Sequence, residues 1–432
     1  MDWLIVLTLF GSFIVLLAFA VPVSFAIGIS TLLTILMSLP LEATIAVVSQ
    51  KMATALDSFS LLAIPFFILA GNLMNSGGIA MRLINLAKVM GGRLPGSLAH
   101  CNVLANMMFG AISGSAVAAA AAVGGTMAPL QKKEGYDPAF SAAVNISSCP
   151  TGLLIPPSNT LIVYSLVSGG TSIAALFLAG YVPGILMGIG VMVVAGLIAK
   201  RRGYPVAERT TWAQIMKTAW DAVPSLFLIV IIMGGIISGL FTATEASAIA
   251  IVYTLFLAVI VYRQVKLRDL PKIILDSAVT TSVVLLLIGC SMGMSWAMAN
   301  ADIPYMISDA ILGVSENPLV ILLIINITLL IVGIFMDMTP AVLIFTPIFW
   351  PIAQEMGMDP VHFGIMMVFN LCIGILTPPV GSALFIGCSV GKVSIDKVIV
   401  QLIPFFVVLF ITLMLVTYIP QLSLFLPNLL LG

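Results

Sequence analysis

The sequence predicts an all-α polytopic membrane protein built from two inverted-topology repeats, each with a re-entrant helical hairpin and a helix interrupted at Pro-Pro. Three observations predict it. Of 432 residues, 61% are hydrophobic and only 8% charged, against about 25% charged in an average soluble domain. Apolar runs close to the ~20 residues that cross a bilayer recur throughout, as in Trp3–Val21, Ser58–Ser76, Ile173–Ala199 and Ser282–Ala299. The second half also repeats the Gly and Pro pattern of the first. Seventeen basic residues balance seventeen acidic ones, so no global field points to nucleic acid. Cys101, Cys149, Cys290, Cys372 and Cys388 sit in apolar segments at no metal-ligand or paired spacing and read as small hydrophobic residues.

In chain order, spans are expected at 3–21, 23–39 and 58–76. The first lacks the basic flank and cleavage site of a signal peptide and is expected to stay in place. A basic amphipathic stretch at 79–97 precedes a hairpin over about 98–130, broken near Ser113–Ser115. A helix at 138–168, interrupted at Pro156–Pro157, and a span at 173–199 close the first repeat, 1–199. Residues 200–221 are expected as a cytoplasmic linker, and Trp212 and Trp220 beside its basic residues read as interfacial anchors. The second repeat, 222–432, reads as spans at 222–241, 243–262 and 276–299 and an acidic stretch at 300–317. A hairpin over about 318–353, broken near Asp337–Pro340, a helix at 360–391 interrupted at Pro378–Pro379, and a span at 398–426 complete it. No soluble domain is expected before, between or after these elements.

Charge sorting orients the chain. If each hairpin enters and leaves by one face, each half holds five crossings, and the second half is inverted relative to the first. Placing Lys200–Lys217 in the cytoplasm then puts sixteen of the seventeen basic residues on that side, all but Lys51, as the positive-inside rule requires. Glu42, Asp57, Glu245, Asp302, Asp309, Glu316, Glu355 and Asp359 fall on the other side, with both termini. Arg82, Lys88 and Arg93 suit an amphipathic helix resting on anionic lipid of the inner leaflet, with 300–318 as its outer counterpart.

The repeat is explicit at an offset of 222 residues, which superposes Pro129 on Pro351, Asp137–Pro138 on Asp359–Pro360 and Gly152 on Gly374. Pro156–Pro157 likewise falls on Pro378–Pro379 and Ser172–Ile173 on Ser394–Ile395. Gly and Pro fix backbone geometry, so shared hydrophobicity does not produce such matches. Inverted repeats with paired helix breaks point to a secondary transporter whose site lies at the repeat interface. Each Pro-Pro frees carbonyls, at Gly152, Leu154, Pro156, Gly374, Leu376 and Pro378, that are costly in lipid but suited to a hard cation. Downstream half-helices starting at Ser158-Asn159-Thr160 and Gly381-Ser382 present positive ends that favour a carboxylate. The alternative is a packed, merely kinked helix.

The hairpin tips read both ways too. Ser113 and Ser115 offer hydroxyls to a cation, or the small residues around them serve helix packing. Asp337, the one acid deep in an apolar stretch, reads as a functional intramembrane carboxylate and, compatibly with that, as the cap of a half-helix starting at Thr339–Pro340. His100 and His362 have no partner at ligand spacing and read as structural. A channel would need a continuous polar pore, and a membrane enzyme a nucleophile–base pair or a metal cluster; the sequence offers neither, and no enzymatic activity is expected.

Ile64–Asn72, Ser113-Gly114-Ser115, Ile155–Ser158, Thr242–Ala246, Asp359–Gly364 and Thr377–Gly381, in this order over essentially the whole chain, resemble the large membrane subunit of TRAP (tripartite ATP-independent periplasmic) transporters. The resemblance implies an inner-membrane importer of an organic or sugar acid, driven by Na⁺ and moving as an elevator. It also implies two partners, a four-helix small membrane subunit and a periplasmic substrate-binding protein. By similarity, one Na⁺ site would use Ser113, Ser115, Gly152, Leu154 and Pro157. The other would use Asp337 or Thr339 with Gly374, Thr377, Pro379 and Gly381. Substrate would lie between the tips and Ser158, Asn159, Thr160 and Ser382. The second tip, Met336–Pro340, and Thr377 differ from many C4-dicarboxylate members, which leans the substrate towards a sugar acid such as sialic acid, with a C4-dicarboxylate as the alternative.

Overall fold

The structure, a computed structural model, describes residues 2–91, 95–206, 211–315, 317–378 and 381–432. All regular secondary structure among them is helical. The first half contains α1 (Asp2–Ala18), α2 (Val23–Ile35), α3 (Leu41–Leu56), α4 (Ala63–Ser76), α5 (Ile79–Gly91), α6 (Ser97–Ser113) and α7 (Ala116–Lys133). It continues with α8 (Pro138–Ser148), α9 (Thr151–Leu154), α10 (Asn159–Val167) and α11 (Ile173–Arg202). The second contains α12 (Trp212–Ile237), α13 (Ala243–Leu255), α14 (Leu270–Asn300), α15 (Ile303–Leu312), α16 (Pro318–Phe335) and α17 (Met338–Glu355). After these come α18 (Pro360–Gly374), α19 (Ser382–Gly391), α20 (Ile395–Tyr418) and α21 (Gln421–Leu430). The offset of 222 carries both ends of α7 onto those of α17, and the starts of α8 and α11 onto those of α18 and α20.

Local chemistry sets these boundaries. Asp137 and Asp359 each cap a helix whose first residue is proline, accepting from the backbone N–H of Ala139 and of Val361 and His362. Reciprocal capping boxes, Thr211 with Gln214 and Thr242 with Glu245, start α12 and α13.

Three elements differ from the sequence-based expectation. Residues 41–56, expected as a connection, form α3, whose buried face of Thr44, Val48 and Ala55 is too narrow to read as a span. α3 and α4 follow α14 in opposite sense: Val48 lies beside Gly293, Met52 beside Gly289, and Asn72 Nδ2 donates to Ser277 Oγ at 2.8 Å. The two helices are therefore one crossing, broken around Asp57–Ser58. Lys51, the basic residue out of place in the charge sorting, has its Nζ 5.9 Å from the centre of the Trp296 ring, a cation–π contact. The second difference is at the C-terminal end, where the expected span at 398–426 is two helices. Ile419 precedes Pro420 and is biased out of the helical region, so α20 stops at Tyr418 and α21 turns back onto α11. His362 fixes this return, with Nδ1 3.2 Å from Ser423 Oγ and Nε2 3.2 Å from the Thr417 carbonyl. Third, Arg82 is packed against another element of the protein: its guanidinium carbon sits 3.4 Å from the Tyr262 ring centre. Arg93 and Glu316 lie outside the described residues.

The helices sort into two bodies. α1–α4 pack with α12–α14; α6–α11 pack with α16–α21. Two short helices join them: α5 lies on α6 and α12, and α15 on α14 and α17. Within the second body the repeats exchange arms. Each entering hairpin arm, α6 or α16, packs on the broken helix of its own repeat, α9 or α18. Each returning arm, α7 or α17, packs on the downstream half-helix of the other repeat, α19 or α10. This exchange brings both tips and both breaks to one place.

Candidate substrate and ion site

The first tip is held by backbone geometry. α6 ends in Gly114 at φ 60°, the left-handed residue that terminates helices, and Ser115 caps α7, its Oγ accepting from Ala118 N–H at 3.3 Å. A Cβ on Gly114 would come within 3.1 Å of the Pro157 carbonyl oxygen, so the tip sits directly on the first break. Ser113 Oγ donates to the Ser115 carbonyl at 3.5 Å.

At the second tip, Asp337 occupies the capping position of α17 but makes no side-chain capping bond. Its Oδ1 instead accepts from Ser382 Oγ at 3.2 Å, tying the tip to the start of α19. Of the two roles read from the sequence, capping is not the one this geometry adopts.

Both breaks are seated by glycine pairs. A Cβ on Gly110 of α6 would fall 2.5 Å from Gly152 Cα, and a Cβ on Gly374 would fall 2.6 Å from Gly333 Cα of α16. Only paired glycines allow two backbones this close. Beyond the first break, Ser158 caps α10 by accepting from Leu161 N–H at 3.4 Å. Around the second, the carbonyl oxygens of Ile375 and Thr377 converge to 2.9 Å from where a Gly381 Cβ would stand. Thr377 Oγ1 donates to the Ile373 carbonyl at 2.9 Å, leaving its lone pairs unused.

A cavity of about 340 Å³ opens where these parts meet. Ser113 and Ser115 from the first tip, Asp337 and Thr339 from the second, and Asn159, Thr160 and Ser382 from the half-helix starts share its wall. The remaining expected residues stand behind the wall: Ser158, Gly152, Leu154 and Pro157 are buried at the first break, Gly374 and Gly381 at the second, and Thr377 is half-buried. The Leu154 carbonyl faces Gly180 of α11 and not the cavity. Pro379 lies outside the described residues. A pocket of about 30 Å³, bounded by Gly333, Met336, Asp337, Ile375, Gly381 and Ser382, adjoins the second tip; roughly 10–15 Å³ suffices for a single water-sized occupant.

Sequence reasoning missed the opposite wall, which the first body supplies through Gly71, Asn72 and Asn75 of α4 and Thr280 and Val284 of α14. It also missed buried amides that brace the hairpins. Asn106 Nδ2 donates to Asn145 Oδ1 at 3.0 Å and Ser148 Oγ at 2.7 Å, and Asn370 Nδ2 donates to Asn326 Oδ1 at 2.8 Å. Recurrent Asn in otherwise apolar arms was the available signal.

The wall carries one carboxylate, Asp337, and no Lys or Arg among the described residues. Its remaining polar groups are hydroxyls, amides and backbone at helix starts. The model of the tripartite ATP-independent periplasmic transporter family, DctM component, matches residues 10–422. The chain belongs to this family. It is 65% identical over 424 residues to the Salmonella typhimurium protein YgiK, whose role is uncharacterised, covering 98% of this chain and 97% of that one. It is 42% identical to the sialic acid TRAP transporter large permease SiaM of Vibrio cholerae, covering 89% and 90% of the two chains. With the C4-dicarboxylate TRAP large permease DctM of Pseudomonas aeruginosa it shares 40% identity over 93% and 94%. The fold is similar to the crystal structure of the Alcanivorax borkumensis YdaH transporter, with TM-score 0.61 and 14% identity over 91% and 90% of the chains. As a TRAP large permease, the chain is a multi-pass membrane protein of a transporter family, and its relatives are permeases, not enzymes.

Proposed function

We propose that this TRAP permease imports an organic or sugar acid across the bacterial inner membrane, coupled to Na⁺. The supporting observation is the electrostatic character of the tip cavity. An anion entering a wall with one carboxylate and no basic residue meets net repulsion. It binds once cations have neutralised that wall, with half-helix N-termini assisting. Two Na⁺ fill this role as cargo. One takes oxygens at the first tip and break, from Ser113, Ser115, Gly152 and Pro157, without the Leu154 carbonyl, which is turned towards α11. The other takes the small pocket bounded by Asp337 and Gly381, with Thr339, Gly374 and Thr377 as the further oxygen donors. Ser158, Asn159, Thr160 and Ser382 then orient the acid. Binding cation and anion together makes the loaded carrier neutral enough to move, while the half-loaded one stays, which couples the fluxes.

The second body is the moving one, and α5 and α15 are its arms. A small four-helix membrane subunit buttresses the first body, a periplasmic binding protein delivers substrate, and the basic loops face the cytoplasm against anionic lipid. The near-equal identities to a sialic acid and a C4-dicarboxylate permease keep both acids in the test. That test is uptake of radiolabelled sialic acid and of succinate into proteoliposomes holding the permease with its small subunit, with an inward Na⁺ gradient and cognate binding protein. Accumulation requiring Na⁺ and the binding protein is expected for one acid; accumulation indifferent to Na⁺ rejects the coupling argument.

A further inference from the structure

A second cavity, of about 560 Å³, lies against the basic face of the molecule. It is enclosed by the end of α4, the arm α5, the returning hairpin arm α7 at Ala122 and Thr126, Asp221 of α12 and Gln264. Asn75 is part of its wall and also part of the tip cavity's wall. The two cavities therefore adjoin at the end of α4. Its polar residue of greatest consequence is Arg82. The guanidinium lies flat on Tyr262, 3.4 Å from the ring centre, and Nη1 donates to the Gly78 carbonyl at 3.0 Å.

Stacking and that one bond fix the plane of the guanidinium and leave most of its five N–H groups available. Among the described residues Arg82 has no carboxylate at ion-pair distance; the two pairs present are Arg202–Asp137 and Arg268–Asp269. A planar, oriented and unpaired guanidinium is the side chain best matched to a carboxylate. Asp221, on the wall of the same cavity, opposes an anion and keeps any such binding loose. We propose that Arg82 and its cavity form a second, transient carboxylate site through which the transported acid passes between the tip cavity and the cytoplasmic face. Because the tip cavity has no basic residue, the released acid meets its first fixed positive side chain here. The site thereby draws the anion away from the tips while Na⁺ departs. The acid as ligand rests on the import reading; the site itself does not.

The test places a cysteine at Asn85, an exposed residue of the cavity wall, in a chain whose own five cysteines are buried. Maleimide labelling of Asn85→Cys is followed in the permease with its small subunit, in neutral-lipid nanodiscs, with millimolar succinate or neutral erythritol. Succinate is expected to slow labelling several-fold and erythritol to leave it unchanged. Arg82→Gln should abolish the protection, Arg82→Lys retain part of it, and Asp221→Asn deepen it. Ser382→Ala, which alters the tip cavity and its adjoining pocket but not the Arg82 cavity, should preserve it. Protection that survives Arg82→Gln, or that disappears with Ser382→Ala, overturns the proposal. Slow labelling in anionic-lipid nanodiscs that succinate does not change assigns the site to a lipid phosphate and overturns it equally. In proteoliposomes Arg82→Gln should lower maximal uptake several-fold at unchanged half-saturation. Absence of uptake of any acid by the wild-type complex would reject the import reading and leave the labelling result standing.

Discussion

Asp337 concentrates the electrostatics of the site in one side chain. Its bond to Ser382 Oγ needs only an acceptor oxygen, so Asp337→Asn preserves the tip while removing the charge that would hold a cation beside it. We expect the half-saturating Na⁺ concentration for uptake to rise about tenfold, in line with ~1.5–3 kcal/mol for a hydrogen bond or contact to a charged group, with little change in expression. A Na⁺ titration of initial uptake rates checks this; an unchanged midpoint would place the second cation elsewhere. Ser115 has two roles, capping α7 and offering its remaining lone pair to the first cation. Ser115→Ala should cost about 1 kcal/mol through the lost cap and, separately, weaken Na⁺ dependence. Asn at that position restores the cap without restoring a hydroxyl, so thermal unfolding and Na⁺ titration of Ser115→Asn separate the two roles. These residues were legible in the sequence because tips and breaks need Gly, Pro and small hydroxyls. Asn75, Thr280 and Arg82 were not: they reach the cavities by packing between elements distant in sequence, and no local pattern records that.

The helical hairpins and interrupted helices were legible as elements because Pro-Pro and Gly fix the backbone wherever they fall, and the offset of 222 doubles the signal. The glycine pairs show how closely packed the result is. Gly374→Ala would push a methyl group to 2.6 Å from Gly333 Cα; neither backbone can yield without moving the tip. We expect a loss of ~1–3 kcal/mol, the usual cost of overpacking, seen as a lower unfolding temperature in detergent, together with loss of uptake. Gly357→Ala, at a turn with open space but φ 76°, controls for strain that does not touch the site and should leave uptake standing. What the sequence could not show at this scale was α3 and α21. α3 is too polar to resemble a span and buries only one narrow face. α21 depends on Pro420 ending a run that is apolar on both sides of it, so composition alone merges it with α20.

At the scale of the whole molecule, orientation rests on parity, and α3 is the element that tests parity. Had α3 crossed independently of α4, the first repeat would hold an even number of crossings, and the sixteen basic residues would no longer fall on one face. Its antiparallel course along α14, with Val48 near Gly293 and Met52 near Gly289 followed by Asn72 at Ser277, makes α3 and α4 successive parts of a single crossing. α14, at 31 residues and ~1.5 Å per residue, covers unbroken the depth the pair covers in two pieces. The inversion between the halves therefore survives an element the sequence did not reveal. At the other end, α21 turns back from α20, but its 10 residues extend about 15 Å against a hydrocarbon core of about 30 Å. It cannot return the C-terminus across the membrane. Both termini are therefore expected on the periplasmic face. An alkaline phosphatase fused after Gly432 should be active and a green fluorescent protein at the same position dark, with the pattern reversed for fusions truncated at Tyr204 in the basic linker. A fluorescent C-terminal fusion would mean that one hairpin or α3 spans, and would reverse the direction assigned to the Arg82 cavity along with it.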